Sequence, residues 1–182
     1  YATNSLGRPV RRHPIIVAHG IYGHGEKGPD LVIPMLEDLG YDVHNYDYRY
    51  TSVTTAGIRY LEMIRARRLA RYAETVYHTT GFKPDFLGHS FGVRLGLRAP
   101  WHATGTELFR NFFGCHGAAR TGIDWSVGPN RQIEKLYLLN YPHDSMLLGA
   151  KLLKYVSPWN QMGPLGRDGY KGPENPSIIR PM

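Results

Sequence analysis

Residues 86–92 read "FLGHSFG". This places Ser90 between Gly88-His89 and Phe91-Gly92. A serine hydroxyl is a weak nucleophile unless it is exposed and activated. A strained turn from a strand into a helix exposes it above a sheet, and small residues on either side let strand and helix approach closely. The flanking residues suit that turn. The apolar run "DFLG" precedes the serine, "FGVRLGLRA" follows it, and Gly88 and Gly92 bracket it. The Phe91 N–H, at the positive end of the helix dipole, then points at an oxygen held near Ser90. Gly-x-Ser-x-Gly by itself is only a tight turn of small residues. A strand before it and a helix after it make Ser90 a candidate nucleophile.

An oxyanion hole needs a second donor from the loop after an earlier strand. "VAHGIYGHG" at 17–25 offers such a loop, with His19-Gly20 at a strand end. A phosphate-binding reading of this glycine-rich stretch fails, because Gly25 is followed by Glu26 and Lys27 rather than Lys and Ser/Thr. A metal reading of His19, His24 and Glu26 has no matching ligand spacing, so no metal and no cofactor is expected. Strand-His-Gly-x followed by strand-Gly-x-Ser-x-Gly-helix resembles the α/β-hydrolase family, in its lipase and esterase branches, over roughly residues 14–156. The resemblance implies a serine hydrolase that cleaves carboxylic esters through an acyl-enzyme on Ser90. It also implies Ile21 and Phe91 as oxyanion donors and His19 as a structural residue of the loop.

In that family the chain order is Ser, then Asp or Glu, then His. Asp144, in "LYLLNYPHDSM", matches the acid. It would equally serve as the N-cap of the helical run "SMLLGAKLL", and Asp124 is the alternative acid. The histidines are at 13, 19, 24, 44, 78, 89, 102, 116 and 143, so none follows Asp144. His143 adjoins the acid, and His116 ends the fourth strand. Two expectations follow. Either the histidine lies beyond Met182 and the domain is incomplete at its C-terminus, or the chain is a non-catalytic hydrolase-fold binding protein. The first is carried forward.

The elements that must hold these residues are legible as alternating strands and helices. Residues 1–14 form an irregular lead-in, and "IIVAHG" (15–20) is a buried parallel strand. A helix through "LVIPMLEDLG" stops at Gly40, and "YDVHNYDY" (41–48) is the second strand. An amphipathic helix from Thr54 to Thr80 carries Ile58, Leu61, Leu69, Tyr72 and Val76 at helical steps. "KPDFLGHS" is the third strand, and the helix after it closes at Pro100. Residues 107–118 and 133–144 give the fourth and fifth strands, and a helix follows. Residues 157–182 form a Pro/Gly-rich tail with one short apolar pair. This alternation predicts an α/β fold, α/β-hydrolase-like, with a mostly parallel sheet and helices on both faces, in a single domain over 1–182.

The length of 182 residues suits one core. The net charge of +7 is spread along the chain, and only "RARRLAR" (65–71) is dense. Its apolar partners mark a solvated helix face, so no nucleic acid is expected as a partner. No apolar run approaches ~18 residues, so no membrane insertion is expected. No signal peptide is visible, and a cytoplasmic location is the default. The lone Cys115 reads as a buried thiol. The short loop between the fourth and fifth strands predicts an open site without a lid, taking a small-molecule ester or acyl substrate.

Overall fold

The computed structural model describes residues 2–3, 9–10, 12–21, 32–48, 58–105, 108–117, 133–139 and 178–179. Two short strands, β1 (Ala2–Thr3) and β2 (Pro9–Val10), pair antiparallel. The lead-in expected to be irregular therefore carries an antiparallel strand pair, in strands too short to show a period. Strands β3 (His13–Ala18), β4 (Tyr41–Asn45), β5 (Asp85–His89), β6 (Phe109–Cys115), β7 (Ile133–Leu139) and β8 (Ile178–Ile179) form the main sheet. Their order is β4-β3-β5-β6-β7-β8, and every neighbouring pair is parallel. The apolar pair in the tail is β8, aligned with Leu136 and Tyr137. From β3 the chain moves outward to β4, and from β5 it moves the opposite way to β6. The strand order reverses between β3 and β5, and in such sheets ligands bind outside the carboxyl ends of the strands at this point.

Helices α1 (Ile33–Asp38), α2 (Arg59–Thr80) and α3 (Phe91–Arg98) complete the described architecture, with a one-turn 3-10 helix at Ala99–His102. The result is an α/β fold built on a six-stranded parallel sheet. On one face, Phe86 and Phe112 of the sheet pack beneath α3. Their ring centroids are 4.8 Å apart, and Phe86 and Phe109 are equally close. All three rings are fully buried, and each contributes roughly 2–3 kcal/mol by leaving water. α2 buries Ala66, Leu69, Ala70, Ala73 and Val76. Its alanines let it lie close, while Arg67, Arg68 and Arg71 stay exposed.

The same stripe of α2 buries an acid, Glu62. Its carboxylate meets Arg94 and Arg98, one turn apart on α3. A charge without access to water is tolerable only when paired, so this clamp fixes α3 against α2. A second buried acid, Asp85, begins β5. It accepts from Arg110 Nε and Nη2, from the Asn111 backbone N–H and from Asn111 Nδ2, at 2.8–3.1 Å.

Several boundaries differ from the sequence reading. β4 ends at Asn45, and Tyr46 N–H makes the last rung of the ladder, to Val17 O at 2.8 Å. β6 is shorter than 107–118. β7 is assigned to Leu139, and residues 140–144 lie outside the described residues. α3 ends at Arg98, two residues before Pro100, and Pro100 fits the first turn of the 3-10 helix that follows. Ile58 precedes α2 and is exposed rather than part of its apolar face. The start expected at Thr54, the loop between β6 and β7 and the helix after Asp144 lie outside the described residues.

Candidate active site

Ser90 follows the last residue of β5 and precedes the first residue of α3. Its backbone has φ 51° and ψ −111°, a region that residues with a Cβ rarely occupy. Holding a non-glycine residue there requires roughly 1–3 kcal/mol from its surroundings. One source is on the neighbouring strand, where Ser90 N–H donates to Cys115 O at 2.9 Å. The Ser90 side chain makes no capping hydrogen bond to α3, so its hydroxyl is not spent on the helix. Phe91 is fully buried, and as the first residue of α3 its N–H has no partner within the helix.

The glycines around Ser90 mark where backbones touch. A Cβ on Gly92 would run into Ala18 O and lie 2.6 Å from His19 O. A Cβ on Gly88 would lie 2.8 Å from Val93 N. A Cβ on Gly20 would lie 3.0 Å from Ser90 Cβ and 2.9 Å from His89 Nδ1. The end of β3, the turn at Ser90 and the start of α3 are therefore in contact. That is the juxtaposition the two glycine motifs require.

His19 is buried, and its Nδ1 lies 2.7 Å from Gly20 O. A carbonyl only accepts, so Nδ1 carries the proton. Nε2 lies 3.5 Å from Asp47 Oδ1. Ile21 is half-buried and packs against the core. His89 is exposed, and its ring centroid is 5.6 Å from that of His116. His116 also has a positive φ, 51°, and its N–H donates to Leu139 O at 3.1 Å. The structure thus gathers His19, Gly20, Ile21, Gly88, His89, Ser90, Phe91 and Gly92 at one end of the sheet, with His116 beside them. Asp144, Asp124 and His143 lie outside the described residues.

At the carboxyl ends of β3, β5 and β6, Val17, Ala18, His19, Val32, Leu87, Gly88, His89 and Cys115 line a cavity of about 230 Å³. Cys115 is half-buried rather than fully buried, and burial pushes its thiol above the ordinary value. Among the described residues no group of three or more His, Cys, Asp or Glu could hold a metal ion. None of their helices is long and apolar enough to cross a membrane.

Tyr48 is a residue of the site that the sequence gives only as part of an aromatic strand. Its ring stacks on His19 at 4.1 Å and meets the Phe91 ring edge-on at 5.9 Å. Tyr46 and Tyr48 are buried on either side of the exposed Asp47. That alternation beyond the strand end is the one signal in the sequence that points to it.

No protein-family model and no curated protein matches the sequence. Solved structures do. The Thermus thermophilus protein TT1662 aligns with a TM-score of 0.61 at 16% identity, over 94% of this chain and 79% of that one. An α/β serine hydrolase without lid from Xanthomonas campestris gives 0.54 at 17%, over 94% and 72%. The Bacillus licheniformis lipase BlEst2 in its mature form gives 0.55 at 13%, over 96% and 86%. These likenesses establish the α/β-hydrolase fold.

Proposed function

We propose that this chain is a serine hydrolase that cleaves carboxylic esters through an acyl-enzyme on Ser90. The observation that carries the proposal is the strained backbone of Ser90 at the strand-to-helix turn, with the β3 end packed against it. Ser90 Oγ attacks the ester carbonyl and gives its proton to a base. The Ile21 and Phe91 N–H groups hold the oxyanion as it forms. The tetrahedral adduct collapses, the protonated alcohol leaves, and water hydrolyses the acyl-serine by the same route. Asp144 orients the base, a histidine. None of the nine histidines follows Asp144. The names of structural neighbours support ester chemistry: a lipase, and a dienelactone hydrolase-like promiscuous phosphotriesterase.

The second reading, a non-catalytic binding protein on the same fold, rests on that missing histidine. Steady-state hydrolysis of p-nitrophenyl acetate and butyrate by the full-length protein separates the two. Catalysis predicts turnover that Ser90→Ala lowers by at least about a thousandfold. It also predicts an acyl adduct on Ser90 visible by mass spectrometry. A folded protein with no Ser90-dependent hydrolysis and no adduct is the outcome expected of the binder.

A further inference from the structure

We propose that Tyr48 is a positioning residue that fixes the direction of the Ile21 N–H, and so sets the oxyanion donor of the loop after β3. The inference rests on the reading of Ser90 as nucleophile and adds a residue to it. Tyr48 is buried, and its hydroxyl lies 2.6 Å from His19 O and 3.0 Å from Gly20 O. A hydroxyl has one proton to donate, and both partners are acceptors, so two successive carbonyls converge on a single donor. His19 Nδ1–H reaches the same Gly20 oxygen from 2.7 Å. The Gly20 carbonyl thereby accepts from His19 and shares the Tyr48 proton with His19 O.

The consequence comes from the peptide unit itself. The bond joining Gly20 to Ile21 is trans, and in a trans unit C=O and N–H point in opposite directions. Fixing Gly20 O on Tyr48 and His19 therefore fixes the Ile21 N–H pointing away from them. Gly20 itself lies against Ser90 Cβ and leaves no room for a Cβ of its own. Without the hydroxyl, the Gly20–Ile21 unit keeps only the His19 bond and is free to swing, and the donor loses its direction. The Tyr48 ring also touches Phe91, the residue of the other donor. Burial raises the Tyr48 pKa above the ordinary tyrosine value, which keeps the hydroxyl proton in place at neutral pH.

The test is Tyr48→Phe, which keeps both ring contacts and removes only the hydroxyl. Its control is Tyr46→Phe, which removes a comparable bond, Tyr46 OH to Arg65 O at 2.8 Å, from the α2 side. With p-nitrophenyl butyrate and an alkylboronic acid that forms a tetrahedral adduct on Ser90, Tyr48→Phe is expected to lower kcat by about 10–100-fold. This is less than the loss of a whole oxyanion donor. KM should stay within about twofold, and the boronic acid should weaken in proportion to kcat/KM. Tyr46→Phe should leave all three unchanged. Two results overturn the inference alone: wild-type kcat in Tyr48→Phe, or an equal loss in both variants, which marks a structural role. Wild-type protein without Ser90-dependent turnover overturns the catalytic reading and the inference together.

Discussion

Replacing Gly92 by alanine probes the contact on which the site depends. The new Cβ would meet Ala18 O and His19 O, which are backbone atoms at the end of a central strand. A carbon and a carbonyl oxygen rest at about 3.3 Å or more. The 2.6 Å separation from His19 O therefore leaves a shortfall of about 0.7 Å, on the scale of that contact distance. Neither oxygen belongs to a flexible side chain, so α3 must move away from β3. Overpacking of this kind destabilises by roughly 1–3 kcal/mol. For a chain of this length that lowers Tm by roughly 2–12 °C. The same shift carries Phe91 N–H and Ser90 away from Gly20 and Ile21. A misplacement approaching 1 Å reduces turnover by about 100-fold. The assay pairs a thermal melt with p-nitrophenyl butyrate hydrolysis, beside Gly105→Ala as control. Gly105 is exposed with nothing near its Cβ position, so that variant should behave as wild type. A Gly92→Ala protein with wild-type Tm and turnover would show that β3 and α3 are not this close, and the site as described would be wrong.

Three further outcomes follow from the buried charges. Glu62→Gln strands Arg94, which is 3% exposed, and should lower stability by roughly 3–5 kcal/mol in a urea melt. Asp85→Asn removes the charge opposite Arg110 at the far end of β5, about 16 Å of strand from Ser90. It should lower Tm by roughly 3–12 °C while leaving Ser90-dependent turnover below Tm intact. Burial, the largest influence, holds the His13 pKa below 6.5, with Arg110 acting the same way and Asp85 opposing. The folded state therefore binds fewer protons than the unfolded chain. The stability linked to His13 is complete above pH 6.5 and is lost as pH falls through its folded pKa. A ring-proton NMR titration should give His13 a midpoint below 6.5, and His13→Gln should flatten the fall of Tm under acid.

What the sequence disclosed was governed by how local each signal is. β3 and β5 were readable because strands covered on both faces are continuously apolar, and the turn at Ser90 was readable because its glycines lie within two residues. Glu62 was invisible as a core residue. A pattern of apolar spacing counts an acid as surface, and the arginines that neutralise it lie 32 and 36 residues later, on another helix. Tyr48 read as one more aromatic in a strand, because its acceptors belong to a loop 28 residues earlier. Ile178 and Ile179 are too few to announce a strand, and only the edge of β7 makes them one. Cys115 read as buried from its apolar neighbours, whereas its place at the strand end beside the cavity leaves it half-exposed.

The nucleophile is tested most directly by treating the full-length folded protein with a fluorophosphonate probe and mapping the labelled peptide, with Ser90→Ala in parallel. The strained turn predicts a single phosphonyl adduct on Ser90, lost in Ser90→Ala and lost on prior unfolding. A folded protein that leaves Ser90 unmodified, or carries the label at another residue, would contradict it.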